Sequence, residues 1–225
     1  QLISDLVTSD VNYGFTSAQL AVVRNGRLVY ENAWGRTNSY LPDGTKNVES
    51  APVTTDTLYD LASVTKMFSA NYALQKLVTD GVVKLDDRIA DYLGESFYKD
   101  VIRVDYRGGT NVDLATQRSW KAKLTIRDLL QHQGGLPADP QYFRPSSPLF
   151  SGNDASPETK AATVKAICRT PLQYEPGTKT VYSDVDYMVL GLVAEQVVGK
   201  DLNTYLRETF WEPMGLSHIT YNPLD

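Results

Sequence analysis

Ser63 and Lys66 stand three residues apart at the head of the stretch "LYDLASVTKMFSANYALQKLVTDG". On a helix, residues i and i+3 share one face, so the lysine ammonium can reach the serine hydroxyl. Serine is a weak nucleophile at its own pKa and needs a base beside it. A lysine that is desolvated, set near another cation or placed at a helix N-terminus can lose its proton and serve. The N-terminus also offers backbone N–H groups and a positive dipole end to a developing oxyanion. The same tetrapeptide equally suits an ordinary first turn with a solvent-facing lysine, so it does not decide the matter alone.

A second group of residues lies in "PGTKTVYSDVDYM". Tyr182 follows a Pro-Gly turn and precedes a long apolar run, so its phenol can project into a cleft and pass a proton if a cation stabilises the phenolate. A half-buried aromatic with a wet hydroxyl is the plainer alternative. Asp184 reads either as the N-cap of the following helix or as a polar group lining a substrate cleft. Asp86-Asp87 and Asp184-x-Asp186 are paired carboxylates at helix starts, where capping accounts for them. His132, in "LLQHQGGLPAD", lacks any G-x-S-x-G elbow, and its charge would suit the C-terminal end of a helix. With one cysteine (Cys168) and two well-separated histidines (His132 and His218), neither an internal disulfide nor a zinc site is expected, and Cys168 reads as a packing residue. No metal or cofactor is expected.

The elements that must position these groups follow from periodicity. A first helix covers about residues 1 to 11. "AQLAVVRNGRLVYENAWG" reads as a hairpin turning at Asn25-Gly26, a pair that tolerates the positive φ angles of a type I′ turn. From Leu58 the pattern becomes helical. Val64, Met67, Phe68, Leu74, Leu77 and Val78 approximate a 3.6-residue repeat closed by Gly81. Further helices are expected in "DDRIADYL", in "LTIRDLLQHQ" capped near Thr125, in "ATVKAICRTP", in "DVDYMVLGLVAEQVVG" and in "DLNTYLRETFWEPMGL". Two loop-rich segments lie between them, about 95–121 and 137–157, the second of a length typical of lids or binding walls. "SHITYN" alone suggests a late strand. A hairpin by itself is marginal, so the sheet looks incomplete.

Bulk properties narrow the function classes. A 225-residue chain with 42% hydrophobic and 22% charged residues can bury a core as one domain or two lobes. Its net charge of −5 supplies no electrostatic reason to bind nucleic acid or an anionic membrane. No apolar run is long enough for a membrane-spanning helix, and the opening Gln1-Leu2-Ile3-Ser4-Asp5 has no signal-peptide character.

Three segments, "LYDLASVTKMFSANYALQKLVTDGVVKLDDRIADYL", "LTIRDLLQHQGGLPAD" and "PGTKTVYSDVDYMVLGLVAEQVVGKDLNTYLRETFWEPMGL", together resemble the serine β-lactamase-like family. That family includes class C β-lactamases, low-molecular-mass penicillin-binding proteins and esterases. The likeness runs from about Gln19 to Asp225. It implies a β-lactamase/transpeptidase-like α/β (α+β) fold in two lobes, an incomplete antiparallel sheet with its helix in residues 1–57 and a mainly helical lobe in residues 58–225. The resemblance puts the site at the junction of the lobes. It also implies Ser63 as the acylated nucleophile, Lys66 as the group that helps deprotonate it, Tyr182 as proton shuttle and Asp184 as a substrate-facing residue. The implied substrates are a β-lactam, a D-Ala-D-Ala peptide or an ester, and the implied location is periplasmic or extracellular. Asp184 departs from the amide of class C lactamases, and a carboxylate there would repel an anionic substrate group unless Lys66 offsets it. The family's His/Lys-Thr/Ser-Gly strand has no match in these residues, so the rest of the sheet lobe is expected outside this chain, and the stretch alone is expected to be weakly active or inactive. The rivals are a carboxylesterase with the same three residues and a non-catalytic binding module.

Overall fold

Residues 2–104 and 112–221 are described by the computed structural model of the chain. Gln1 of the expected first helix, residues 105–111 of the expected first loop, Asn222 of "SHITYN" and the last residues of the resemblance lie outside the described residues. The chain divides into two units, Gln1–Asp60 and Leu61–Asp225.

The smaller unit pairs helix α1 (Leu2–Tyr13) with strands β1 (Ser17–Arg24) and β2 (Arg27–Gly35). Asn25 and Gly26 both take positive φ, 51° and 72°, as a type I′ turn requires, and the hairpin closes from Ser17↔Gly35 to Arg24↔Arg27. A register shift after Val22 leaves Val29 outside the ladder, the signature of a β-bulge. Gly35 cannot be replaced: its φ is +86° and an added Cβ would lie 2.2 Å from the Thr16 carbonyl oxygen. Helix α1 buries no residue, and Trp34 Nε1 donates to Ser4 Oγ at 3.2 Å.

The larger unit is helical: α2 (Tyr72–Thr79), α3 (Ile89–Leu93), α4 (Ser96–Lys99), α5 (Leu114–Lys123), α6 (Ile126–Leu130), α7 (Pro157–Arg169), α8 (Asp184–Val198) and α9 (Leu202–Leu206). A 3₁₀ turn, Ala62–Val64, and a π-turn, Met67–Asn71, lead into α2. Helix α8 is the axis of the core: Val185, Val189, Leu190, Val193 and Ala194 are fully buried, as are Ile89, Phe97, Leu124, Ile126, Leu129 and Leu136 from the surrounding helices and loops. Continuous apolar burial of this kind supplies most of the stability of a small helical unit. Gly81 (φ 73°) and Gly199 (φ 67°) end α2 and α8 in the left-handed conformation, as C-terminal glycines commonly do.

Four expectations need correction. Val64, Met67 and Phe68 are exposed, while Ala70, Ala73, Leu74 and Leu77 face the core. The π-turn shifts the helix face at the point where an ideal 3.6-residue repeat was extrapolated. The segment expected as loop around 95–121 contains α4 and most of α5, the latter capped by Asp113, whose side chain accepts from Thr116 N–H. Its polar sequence hides a helix because the inward residues are Gln117 and Lys121, both buried. "SHITYN" forms no strand among the described residues. Asp86 and Asp87 do not cap α3: Asp86 accepts from Arg127 Nε at 2.7 Å, and Asp87 accepts from Tyr92 Oη and Lys84 N–H.

Candidate active site

Two stretches of the helical unit build the site. The first delivers Ser63. Ala62 holds a positive φ of 43°, a conformation costly for a residue with a Cβ, and it starts the 3₁₀ turn that presents the exposed Ser63 side chain. The backbone is right-handed from Thr65 onward, so Lys66 sits one turn beyond Ser63 and its ammonium donates to Ser63 Oγ at 3.2 Å.

The second stretch delivers Tyr182 and Asp184 by zipping residues 132–138 against 177–184. Gly177 N–H donates to Gln133 O, Val181 N–H to His132 O and Asp184 N–H to Ala138 O. Ser183 is the true N-cap of α8: its Oγ accepts from Asp186 N–H and donates to Pro137 O at 2.7 Å. Asp184 is therefore the first helical residue, and its carboxylate is free to turn toward Lys66. Its reading as the cap is corrected, because Ser183 already fills that role.

Lys66 joins the two stretches. Its Nζ donates to Asp184 Oδ1 at 2.5 Å and lies 4.7 Å from the centroid of the Tyr182 ring. Burial opposes the ammonium, but hydrogen bonds and charge from Asp184 and Tyr182 outweigh it, and the Lys66 pKa is raised. In this arrangement Lys66 is a held cation beside Ser63. Lys66 is 15% exposed and Asp184 50% exposed, so water screens the pair from one side. Tyr182 moves the other way. Hydrogen bonding to Lys66 and then to Ser63 lowers its pKa, against a little burial and the charge of Asp184. The four residues singled out in the sequence are therefore brought together, with the proton held on lysine and the phenol made more acidic. Beside them a cavity of about 370 Å³ is lined by Asp184, Tyr142, Phe143, Asn153, Asp154 and Met188, among others. The expected binding-wall loop contributes most of this lining.

His132 and Asp186 are also here, at the helix end and helix start where the sequence put them, but without the charge and capping roles expected of them. His132 lies past the end of α6 at φ 54°, with its ring 4.6 Å from that of Tyr182 and 5.3 Å from that of Tyr187. Burial and Lys66 lower its pKa while Asp184 opposes, so it brings no cation to the helix end. Asp186 is 1% exposed and contacts His132 Nδ1 through Oδ2 at 3.0 Å. The signal available was the spacing itself: residues i and i+2 of a helix face different directions, so Asp184 and Asp186 could not share one role. Cys168 is buried and its thiol is pushed up by that burial, as suits a packing residue.

A family model described as Beta-lactamase matches residues 1–225. A protein of Escherichia coli (strain K12) named "Putative D-alanyl-D-alanine carboxypeptidase" is 41% identical over 221 residues, which is 97% of this chain and 46% of that protein. One of the same name from Salmonella agona (strain SL483) is 37% identical over 222 residues, with the same coverage of both. This chain thus spans about half the length of these curated relatives. Among solved structures, a D-amino acid amidase from Ochrobactrum anthropi SV3 aligns at TM-score 0.66 and 25% identity, over 95% of this chain and 49% of the amidase. An octameric penicillin-binding protein homologue from Pyrococcus abyssi aligns at TM-score 0.63 and 24% identity, over 95% of this chain and 42% of its own, a likeness of fold.

Proposed function

The chain belongs to the Beta-lactamase family, and from that premise we propose that it carries the nucleophilic half of a serine hydrolase that releases the terminal residue of a D-Ala-D-Ala peptide through an acyl-enzyme on Ser63. The observation that carries this reading is the single ammonium of Lys66 held between Ser63 Oγ, Asp184 and Tyr182.

Lys66 keeps its proton and its field favours the Tyr182 phenolate. The phenolate takes the Ser63 hydroxyl proton as Oγ attacks the substrate carbonyl, giving a tetrahedral oxyanion. The C–N bond then breaks, and Tyr182 returns the proton to the departing amine. Water attacks the acyl carbonyl as Tyr182 accepts its proton, the C–O bond to Ser63 breaks, and Tyr182 returns the proton to Ser63 Oγ as the free acid departs. Asp184 stabilises the Lys66 charge through its direct ion pair. That ion pair also answers the repulsion expected from a carboxylate here, because the Asp184 charge is offset at 2.5 Å before an anionic substrate arrives. The names of the similar curated proteins support a D-alanyl-D-alanine peptide as substrate; a peptidoglycan peptide of that kind would be met outside the cytoplasm, which is the location this reading expects. β-Lactams, which mimic that peptide, acylate the same serine and are turned over slowly.

The test compares kcat/KM of the full-length protein on a peptide ending in D-Ala-D-Ala and on p-nitrophenyl acetate. The expected result is a clear preference for the peptide, lost with Ser63→Ala. Preference for the ester would assign the site to a carboxylesterase, and no turnover of either would return the protein to a binding role.

A further inference from the structure

The chemistry above leaves one pair unused, the buried Asp186 and the partly buried His132. Asp186 Oδ2 lies 3.0 Å from His132 Nδ1, and the same Nδ1 receives the Ser183 backbone N–H at 3.2 Å. A backbone N–H has no freedom to turn its hydrogen away. The nitrogen it points at is read as an unprotonated acceptor whose one lone pair is shared between this N–H and the Asp186 contact. The hydrogen in the Asp186–His132 contact therefore has to come from the carboxyl group.

Two further observations agree. Asp186 Oδ1 has no hydrogen-bond partner, a state that a buried carboxylate bears at great cost and the carbonyl oxygen of a neutral acid bears at far less. The space around it is closed as well. A Cβ on Gly134 would lie 3.1 Å from Oδ1 and 2.4 Å from Leu129 Cδ2, so only glycine leaves that oxygen undisturbed. Burial, with Asp128 adding to it, pushes the Asp186 pKa up to about 8.

We propose that Asp186 is a neutral carboxylic acid donating to His132 Nδ1, and that the pair is a positioning unit fixing an uncharged imidazole against the ring of Tyr182. The inference rests on the reading of Tyr182 as the proton carrier for Ser63. Its consequence is electrostatic and steric together. The His132 proton lies on Nε2 and the ring stays neutral, so Lys66 is the one cation acting on the phenol within this cluster. The ring itself backs Tyr182 at 4.6 Å. The charged and titratable groups facing the pair are Asp128 of α6, Lys66, Asp184, Tyr174 and Tyr187. As pH rises past about 8, Asp186 loses the donated hydrogen, the contact with Nδ1 turns repulsive, and Tyr182 loses its support.

Asparagine reproduces a neutral donor, because its Nδ2–H can replace the acid O–H, whereas leucine cannot. The experiment measures the pH profile of Ser63 acylation by a fluorescent penicillin in the full-length wild type, Asp186→Asn and Asp186→Leu. The expected result is an acylation rate for Asp186→Asn within about threefold of wild type at pH 7, without the alkaline fall, and a loss of at least about tenfold for Asp186→Leu. A second readout, ¹⁵N NMR of His132 in the wild type, is expected to find Nδ1 unprotonated and Nε2 protonated at pH 7. An Nδ1–H resonance, or an Asp186→Asn variant as damaged as Asp186→Leu, would overturn the proposal. Should Asp186→Leu not fold, the asparagine profile and the NMR tautomer still decide. Labelling that persists in Ser63→Ala would sink the functional reading instead, and would leave the tautomer result standing.

Discussion

Lys66 sits at a half-open surface with a carboxylate 2.5 Å away, whereas Lys121 lies wholly inside the helical unit among carbonyl oxygens. Lys121 Nζ donates to Ile167 O, Cys168 O and Thr170 O at 2.7–3.1 Å, closing the C-terminal end of α7, and stands 4.6 Å from the Phe97 ring centroid. Its pKa is pushed down to about 7 by burial, against smaller opposing charge effects from Cys168 and Asp100. The Lys66 pKa is raised. Burial penalises both ammonium groups, so the partner decides the outcome: an ionised carboxylate restores the charge, and neutral carbonyl dipoles restore less of it. Lys66 thus keeps its charge beside Ser63, while the proton on Lys121, which three carbonyl hydrogen bonds call for, is held less tightly.

The largest effect that would sharpen this contrast is expected from Lys66→Met. Removing the cation takes away the hydrogen bond and field that lower the Tyr182 pKa, and acylation of Ser63 should slow by about 10²–10⁴-fold. Thermal melting should change little, because an ion pair with one partner half exposed contributes little stability. The reverse is expected of Lys121→Met. Acylation should be unaffected, while stability falls by about 2–4 kcal/mol in urea titrations, since three buried carbonyls lose their donor. A Lys121→Met variant with normal stability would break the comparison from the structural side.

The pH dependence separates the two lysines next. The native pKa of Lys121, about 7, lies below its unfolded value near 10.4. Between these limits the unfolded chain binds a proton that the native protein does not, so stability rises with pH in that window. Unfolding of wild type and Lys121→Met from pH 6 to 11 should show the wild type gaining on the variant from about 7 upward. The smallest expected effect is that of Asp184→Asn. The loss of the carboxylate lowers the Lys66 pKa and removes a charge that opposes Tyr182 ionisation. The acid limb of the acylation profile should therefore move to lower pH, with a few-fold faster reaction toward anionic β-lactams.

Much of the fold was legible because local rules governed it. Asn25-Gly26 gave the hairpin, the Thr125 and Asp128 capping box started α6, and Gly199 ended α8. Ser63, Lys66, Tyr182 and Asp184 were readable as a set because three segments occur in one order. What stayed hidden depended on contacts far apart in sequence. Helix α5 looks like loop because its inward Lys121 is satisfied only by carbonyls 46 to 49 residues away. The protonation of Asp186 is invisible in Asp-x-Asp, because it follows from where His132 Nδ1 and the Ser183 N–H meet. The strain at Ala62 has no sequence signal, since alanine does not favour positive φ.

The central claim is that Ser63 forms the covalent intermediate under the influence of Lys66. Intact-mass and peptide mapping of the full-length protein after brief exposure to a penicillin tests it most directly. One adduct is expected, on the peptide containing Ser63, absent in Ser63→Ala and much slower to appear in Lys66→Met. An adduct on any other residue, or an undiminished one in Ser63→Ala, would contradict the account.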